Sequence, residues 1–261
     1  MAELTASGQT PDVLFWVGCA GSFDDRAKRI TKAIARILHA SETSFAVLGQ
    51  EESCTGDPAK RAGNEFLYQM QAAQNIATLN GYEIKRIITG CPHCFNVLKN
   101  EYPELGGNYE VLHHTQFIRE LIETGKLRMA DGAPFRGKRI TFHDPCYLGR
   151  GNGEYLAPRE VIQKLDAELL EMRRCKQNAM CCGAGGAQMF KEAENGDSEV
   201  NHERTNEALE NKPEVIATGC PFCNTMITDG VKNANQESEV EVKDVAELIA
   251  EAADLLDPAE S

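Results

Sequence analysis

Positive charge is scarce in this chain of 261 residues: 27 Lys and Arg stand against 40 Asp and Glu, a formal charge of −13. A surface of that sign repels phosphate backbones and anionic lipid, so nucleic-acid binding is disfavoured. Long apolar runs are missing as well. The charge-free apolar stretch nearest the start, 13–23, is far short of the ~20 residues that cross a bilayer. Residues 1–10 hold neither the basic region nor the apolar block of an export signal. A cytoplasmic chain without a membrane span is the expectation. Nucleotide fingerprints are absent too: the Gly-rich run 183–186 is not followed by Lys-Ser/Thr and has no dinucleotide spacing. The Cys-x2-Cys-x2-Cys-x3-Cys-Pro run of ferredoxin-type domains does not occur either. Against these gaps one residue type is in excess. Ten cysteines stand at positions 19, 54, 91, 94, 146, 175, 181, 182, 220 and 223.

Disulfide scaffolds belong to small secreted chains that cannot build a core, and this chain is long enough for two cores. Metal ligation or thiol chemistry is the better reading of the cysteines. Their spacing strengthens it. Laid on itself with an offset of about 127 to 129, the chain pairs Cys19 with Cys146, Cys54 with Cys182, Cys91 with Cys220 and Cys94 with Cys223, leaving Cys181 as an extra member and Ser53 opposite it. Around the last pair, 86–94 matches 215–223 at six of nine positions. Further on, Glu110-Val111 and Glu239-Val240 correspond, each followed by a helix-capping residue, Thr115 or Asp244. This is the repeat of a whole domain.

Each half alternates strand and helix. The first offers strands at 12–17, 45–48, 83–88 and 109–113, with helices at 25–39, 65–79, after Pro92, and at 116–123. In the second, strands fall near 139–143, 168–172, 214–218 and 238–242. The pattern predicts an α/β fold: two pseudo-symmetric domains, 11–128 and 138–256, each a small parallel sheet flanked by helices, joined by a linker at 129–138. In such sheets ligands bind beyond the carboxyl ends of the strands. The cysteines follow those ends, so thiols distant in sequence converge on one edge of each domain. Four thiolates suit tetrahedral zinc or an iron–sulfur cluster alike. Five around the second site exceed what one tetrahedral ion uses, which leans that half toward iron.

The pattern Cys-x34-Cys-Cys-x37-Cys-x-x-Cys, seen as Cys146, Cys181-Cys182-Gly183, Cys220 and Cys223, resembles the CCG cysteine-rich domain of heterodisulfide reductases and related iron–sulfur oxidoreductases. Both halves carry it, so the resemblance spans nearly the whole chain. It implies that Cys146, Cys181, Cys182, Cys220 and Cys223 ligate one noncubane [4Fe-4S] cluster. The first half departs from the family pattern, since Ser53-Cys54-Thr55-Gly56 supplies one cysteine where the family has two. Cys19, Cys54, Cys91 and Cys94 remain, the usual complement of a cubane [4Fe-4S] cluster. Weaker versions are a noncubane cluster with Ser53 or an external atom as a ligand, or an empty first site.

The function expected from the resemblance is an iron–sulfur electron-transfer subunit of a heterodisulfide-reductase-like complex, passing electrons to a quinone-, flavin- or disulfide-type acceptor. Its partners would be a ferredoxin-like iron–sulfur subunit, a flavoprotein or a membrane quinone/haem subunit, which would also hold it at the inner membrane. Two readings from other classes stay open: a zinc-binding structural subunit, and a dithiol oxidoreductase using Cys91/Cys94 or Cys220/Cys223. Of the remaining residues, Cys175 reads as an ordinary thiol. His93 has Phe222 as its counterpart and reads as a locally packed or exposed histidine, and His113-His114, opposite Val242-Lys243, likewise. A proton relay is the lesser reading of His143-Asp144.

Overall fold

A computed structural model describes residues 1–130, 134–192 and 195–256. The run 131–133 in the expected linker, and parts of the acidic runs at 192–194 and 250–261, lie outside the described residues. Two four-stranded parallel sheets organise the chain, as the alternating pattern predicts. The first holds β1 (Val13–Trp16), β2 (Phe45–Ala46), β3 (Arg86–Thr89) and β4 (Glu110–His113) in the order β2-β1-β3-β4. The second holds β5 (Arg139–Phe142), β6 (Glu168–Leu170), β7 (Val215–Thr218) and β8 (Glu241–Asp244) in the matching order β6-β5-β7-β8. β1 and β7 are buried along their whole length, which is why they read as unbroken apolar runs rather than alternating ones.

Four principal helices accompany each sheet. In the first half they are α1 (Asp25–Ala40), α2 (Glu65–Gly81), α3 (Pro92–Asn96) and α4 (His114–Glu123); in the second, α5 (Leu156–Gln163), α6 (Val200–Glu210), α7 (Pro221–Asn233) and α8 (Val245–Ala252). α1 shows how the local code works. Asp24 caps it by accepting the Ala27 amide at 2.7 Å, and Ile30, Ala33, Ile34, Ile37 and Leu38 face the core at helical spacing.

The halves share one apolar core. Phe15, Ile34, Ile37 and Phe117 of the first half pack in the same cluster as Phe142, Val161, Leu248 and Ile249 of the second. The contacts follow the pseudo-symmetry: α1 lies on α8, and α4 on α5. Arg26 ties the first pair, donating to both carboxylate oxygens of Glu247 (2.7 and 2.8 Å) and to the Val242 carbonyl (2.8 Å). Phe135, from the expected linker, is wholly buried in this core.

Two details of the repeat differ from the sequence pattern. β3 pairs Arg86 with Glu110 and β7 pairs Val215 with Glu241, so the partner of Glu110 is Glu241 rather than Glu239. The dipeptide Glu-Val occurs twice in 239–242, and the turn that ends α7 places the second copy, not the first, in the sheet. The caps of α4 and α8 are His113 and Asp244, each in a capping box with Gln116 or Glu247; Thr115 is not the cap.

Candidate functional site

Because all strands in a sheet are parallel, the carboxyl ends of β1, β2 and β3 share one edge, and the chain leaves each of them toward a cysteine. Cys19 sits in a short helix after β1 (Gly18–Phe23), Cys54 in the loop after β2, and Cys91 caps α3 with Cys94 one turn in. In the second half Cys146 follows β5, Cys181 and Cys182 follow β6, and Cys220 caps α7 with Cys223 inside it. Pro92 and Pro221 occupy the first helical position, where a missing N–H costs nothing.

Each of the nine thiols touches at least one other. Cys19 touches Cys54 and Cys91 touches Cys94; Cys146 touches Cys181, Cys181 touches Cys182, and Cys182 and Cys220 both touch Cys223. Cys91 and Cys220 are also in contact, so the two groups adjoin across the halves. None of the ten cysteines is in a disulfide. Cys175 stands apart beside Glu171 and Arg159 and joins neither group.

The pairing within each group shows where the halves differ. The Gly56 amide donates to Cys54 Sγ at 3.5 Å, and the Gly183 amide to Cys181 Sγ at 3.3 Å. Gly56 (φ +90°) and Gly183 (φ +94°) are both left-handed, and a Cβ on Gly56 would come within 2.7 Å of the Tyr68 ring. Cys54 is therefore the counterpart of Cys181, and Thr55 the counterpart of Cys182. Thr55 Oγ1 lies 3.9 Å from Cys94 Sγ, just as Cys182 contacts Cys223. Ser53, which the sequence offset sets against Cys181, turns away: its hydroxyl donates to Asn75 Oδ1 at 2.9 Å. The gap in the first site is at Thr55.

Sharing of protons between neighbouring sulfurs splits their acidities. The hydrogen bond to Cys54 raises the Cys19 thiol far above its ordinary range, and the same bond draws Cys54 down to about 7. Cys146 is raised and Cys181 lowered in the same way. Cys91 is pulled down by its bonds to Cys220 and Cys94, while its bond to Cys94 and burial push that thiol up; burial foremost raises Cys220. Nine sulfurs in a low-dielectric edge cannot all carry charge without a cation among them, and thiolates are soft ligands for iron or zinc. The donor set fits iron–sulfur clusters.

Several residues that hold this edge have no signal in the sequence. Glu52 accepts the amides of Val17 (3.1 Å) and Gly18 (2.6 Å), fixing the approach to Cys19; burial pushes its carboxyl up to about 7. Asp144 is gripped by Arg159 through two bonds (2.7 and 2.9 Å) and accepts the Lys176 amide, so it anchors the turn before Cys146. Arg204, fully buried, donates from Nε to His143 Nδ1 at 2.9 Å. Burial and the nearby Arg204 charge hold His143 neutral, down to about 3. His143 and Asp144 are thus each held by an arginine, Arg204 or Arg159. Of the packed and exposed readings of His93 the structure shows the packed one, between the halves: its Nδ1 lies 2.9 Å from Asp57 Oδ2 and its ring lies tilted against Tyr147 and edge-on to Phe222. His113 Nε2 donates to the Gly219 carbonyl (3.0 Å), just before Cys220, and His114 Nε2 lies 2.9 Å from Asp244 Oδ1. The true partners of His113 and His114 in the repeat are Asp244 and Val245, and both histidines clasp the other half.

Fold and site together define a duplicated parallel α/β protein whose strand ends gather nine cysteine thiols. Its family follows: the profile of the CCG cysteine-rich domain matches residues 13–99 and 140–228, and the chain belongs to that family. It is 44% identical over 255 residues to EtfAB:quinone oxidoreductase of Syntrophomonas wolfei, covering 95% of this chain and 35% of that protein. To the Bacillus subtilis protein named Probable iron-sulfur-binding oxidoreductase FadF it is 44% identical over 251 residues, 96% of this chain and 35% of the other. To a subunit of the dihydromethanophenazine:CoB--CoM heterodisulfide reductase of Methanosarcina barkeri it is 34% identical over 253 residues, 94% of this chain and 59% of the other. The chain thus spans about a third of the first two relatives and little more than half of the third. Among the described residues no helix is long and apolar enough to cross a membrane.

Proposed function

We propose that this chain is the iron–sulfur electron-transfer part of a heterodisulfide-reductase-like oxidoreductase, delivering electrons to a quinone-, flavin- or disulfide-type acceptor. The observation that carries this reading is the convergence of nine cysteines in two adjoining groups, one of four and one of five. Cys19, Cys54, Cys91 and Cys94 would hold a cubane [4Fe-4S] cluster, and Cys146, Cys181, Cys182, Cys220 and Cys223 a noncubane one. Bound clusters supply one-electron chemistry. The protein's own contribution is to present the thiolates from rigid strand ends, to exclude water around buried Cys91, Cys94, Cys182, Cys220 and Cys223, and to set the two groups side by side through Cys91 and Cys220.

The two units are taken as 11–128 and 138–256. Partners of the kinds present in oxidoreductase complexes, a ferredoxin-like iron–sulfur subunit, a flavoprotein or a membrane quinone/haem subunit, would feed or drain the pair, with the chain cytoplasmic and held at the membrane by them. The names of the longer relatives, one acting between EtfAB and quinone and one within a heterodisulfide reductase, support this assignment.

The test is anaerobic purification with metal analysis and electron paramagnetic resonance of oxidised and reduced protein. About eight iron and eight acid-labile sulfide per chain are expected for two clusters. About four of each defeats the two-cluster assignment, and a colourless, zinc-rich preparation defeats the iron assignment. A thiol activity that survives iron chelation and is abolished by alkylation would establish the dithiol reading instead.

A further inference from the structure

A buried N–H without an acceptor gives up its hydration for nothing in return and is rare enough to require an explanation. Two such groups occupy the same position in the two halves. β1 pairs Leu14 with Ile87 and Trp16 with Thr89; β5 pairs Thr141 with Ile216, and His143, just past its end, donates its amide to Ala217. Trp16 therefore stands where His143 stands, each three residues ahead of the first cysteine of its half, Cys19 or Cys146. Both are buried, and both Trp16 Nε1 and His143 Nε2 lack a hydrogen-bond partner among the described residues.

The His143 ring faces thiols of its own half, and Trp16 holds the equivalent position in the other. His143 offers a ligand atom within 4.8 Å of Cys182 and Cys223 Sγ. Trp16 packs in one apolar cluster with Cys91 and Cys94. The indole N–H can only donate. For His143 the neighbouring residue decides: Arg204 Nε–H donates to Nδ1, so in the neutral ring the proton is on Nε2. That arrangement is the reverse of a metal-ligating histidine, which donates through its second nitrogen and leaves the first free for the metal.

We propose that Trp16 and His143 are equivalent N–H donors to sulfur, one at each thiol group, and that Arg204 is the positioning residue that fixes His143 as a donor and bars it from ligating iron. The inference rests on the iron–sulfur reading above. Hydrogen bonds to cluster sulfur favour the reduced, more negative state and so raise the potential.

Two measurements on the full-length holoprotein test it. In the first, wild-type protein carrying ring-15N tryptophan or, separately, ring-15N histidine is examined by pulsed paramagnetic resonance. A weak nitrogen coupling is expected from each label. A strong coupling from histidine means ligation, and no coupling means no bond; either overturns the proposal without any variant. In the second, redox titrations compare Trp16→Phe and His143→Phe with wild type. Each is expected to weaken the reduction equilibrium of its own site about tenfold, about 59 mV for one electron, leaving the other site unmoved. His143→Gln, which keeps an N–H, should restore much of the loss, and Arg204→Met should lower the second site or bring in the strong histidine coupling. Unshifted potentials in the two Phe variants overturn the proposal alone. Wild-type protein with no iron–sulfur signal overturns the proposed function and this inference with it.

Discussion

Thr55 is the residue on which the two halves diverge. It stands where the second half has Cys182, with its hydroxyl 3.9 Å from Cys94 Sγ. Thr55→Cys writes Cys-Cys-Gly into the first half, and the backbone there is already shaped for it by left-handed Gly56. The variant is expected to give the first site the resonance signature of the second at unchanged iron content; an unaltered spectrum would show that ligand count does not set the difference. Ser53→Cys should leave the spectrum as in wild type, because Ser53 points to Asn75. Cys175→Ala should keep its full iron, since Cys175 touches none of the nine. The Arg159–Asp144 pair belongs to this scale as well. Both side chains are buried, and removing one partner strands the other charge, so Arg159→Met should cost about 3–5 kcal/mol in denaturant unfolding. Cysteine spacing makes the nine thiols legible in the sequence. Glu52, Arg159 and Arg204 are not legible, because a buried charge looks in sequence like any surface charge until its partner, which can lie anywhere along the chain, is known.

At the level of elements, the long helices are legible nearly to the residue: 25–39 against α1, 65–79 against α2. The apolar periodicity of α1 and the Asn80-Gly81 stop signal of α2 are local properties and need no tertiary information. Short strands are harder. β2 has only two residues, and β8 lies a little beyond the stretch that alternation suggests, because strand register is set by pairing with β7. The cap of α4 is His113 where the sequence points to Thr115, because histidine is seldom a capping residue; here its Nδ1 is left free to accept by the bond its Nε2 donates across to Gly219. Two helix substitutions probe the element scale. Ile37→Ala removes a side chain buried under α8 and should cost about 2–5 kcal/mol. Asp244→Ala deletes the capping box of α8, worth about 1 kcal/mol by itself. It also strips His114 of its facing carboxylate, so a loss above that figure is expected in thermal or chemical unfolding, and a smaller one would show that the His114 contact is neutral.

For the whole molecule, the shared core makes the halves interdependent. Side chains of α1, α4, α5 and α8 bury one another across the pseudo-symmetry axis, and Arg26–Glu247 and Arg119–Glu160 bridge the same seams. Both halves should unfold in one transition, detected as coincident loss of helical and near-ultraviolet circular dichroism; two separated transitions would contradict a common core. Metal removal acts at this scale too. Cysteines drawn from six strand ends are brought together only in the folded state, so clusters bound to them would add their binding energy to folding. Anaerobic chelation of the iron should lower the thermal midpoint of both halves together, and a midpoint unmoved by chelation would place the clusters outside the folding unit.

The sequence by itself determined the α/β class, the duplication and the convergence of cysteines on strand ends, because periodicity, spacing and internal repetition are local or self-referential properties of a chain. Only the tertiary structure decided that Thr55 rather than Ser53 marks the missing thiol, that Cys91 meets Cys220, and that His143 has Arg204 behind it. Each of these depends on which atoms from distant segments share a few ångströms of space, and register, backbone handedness and burial fix that only when the two sheets close on a common core.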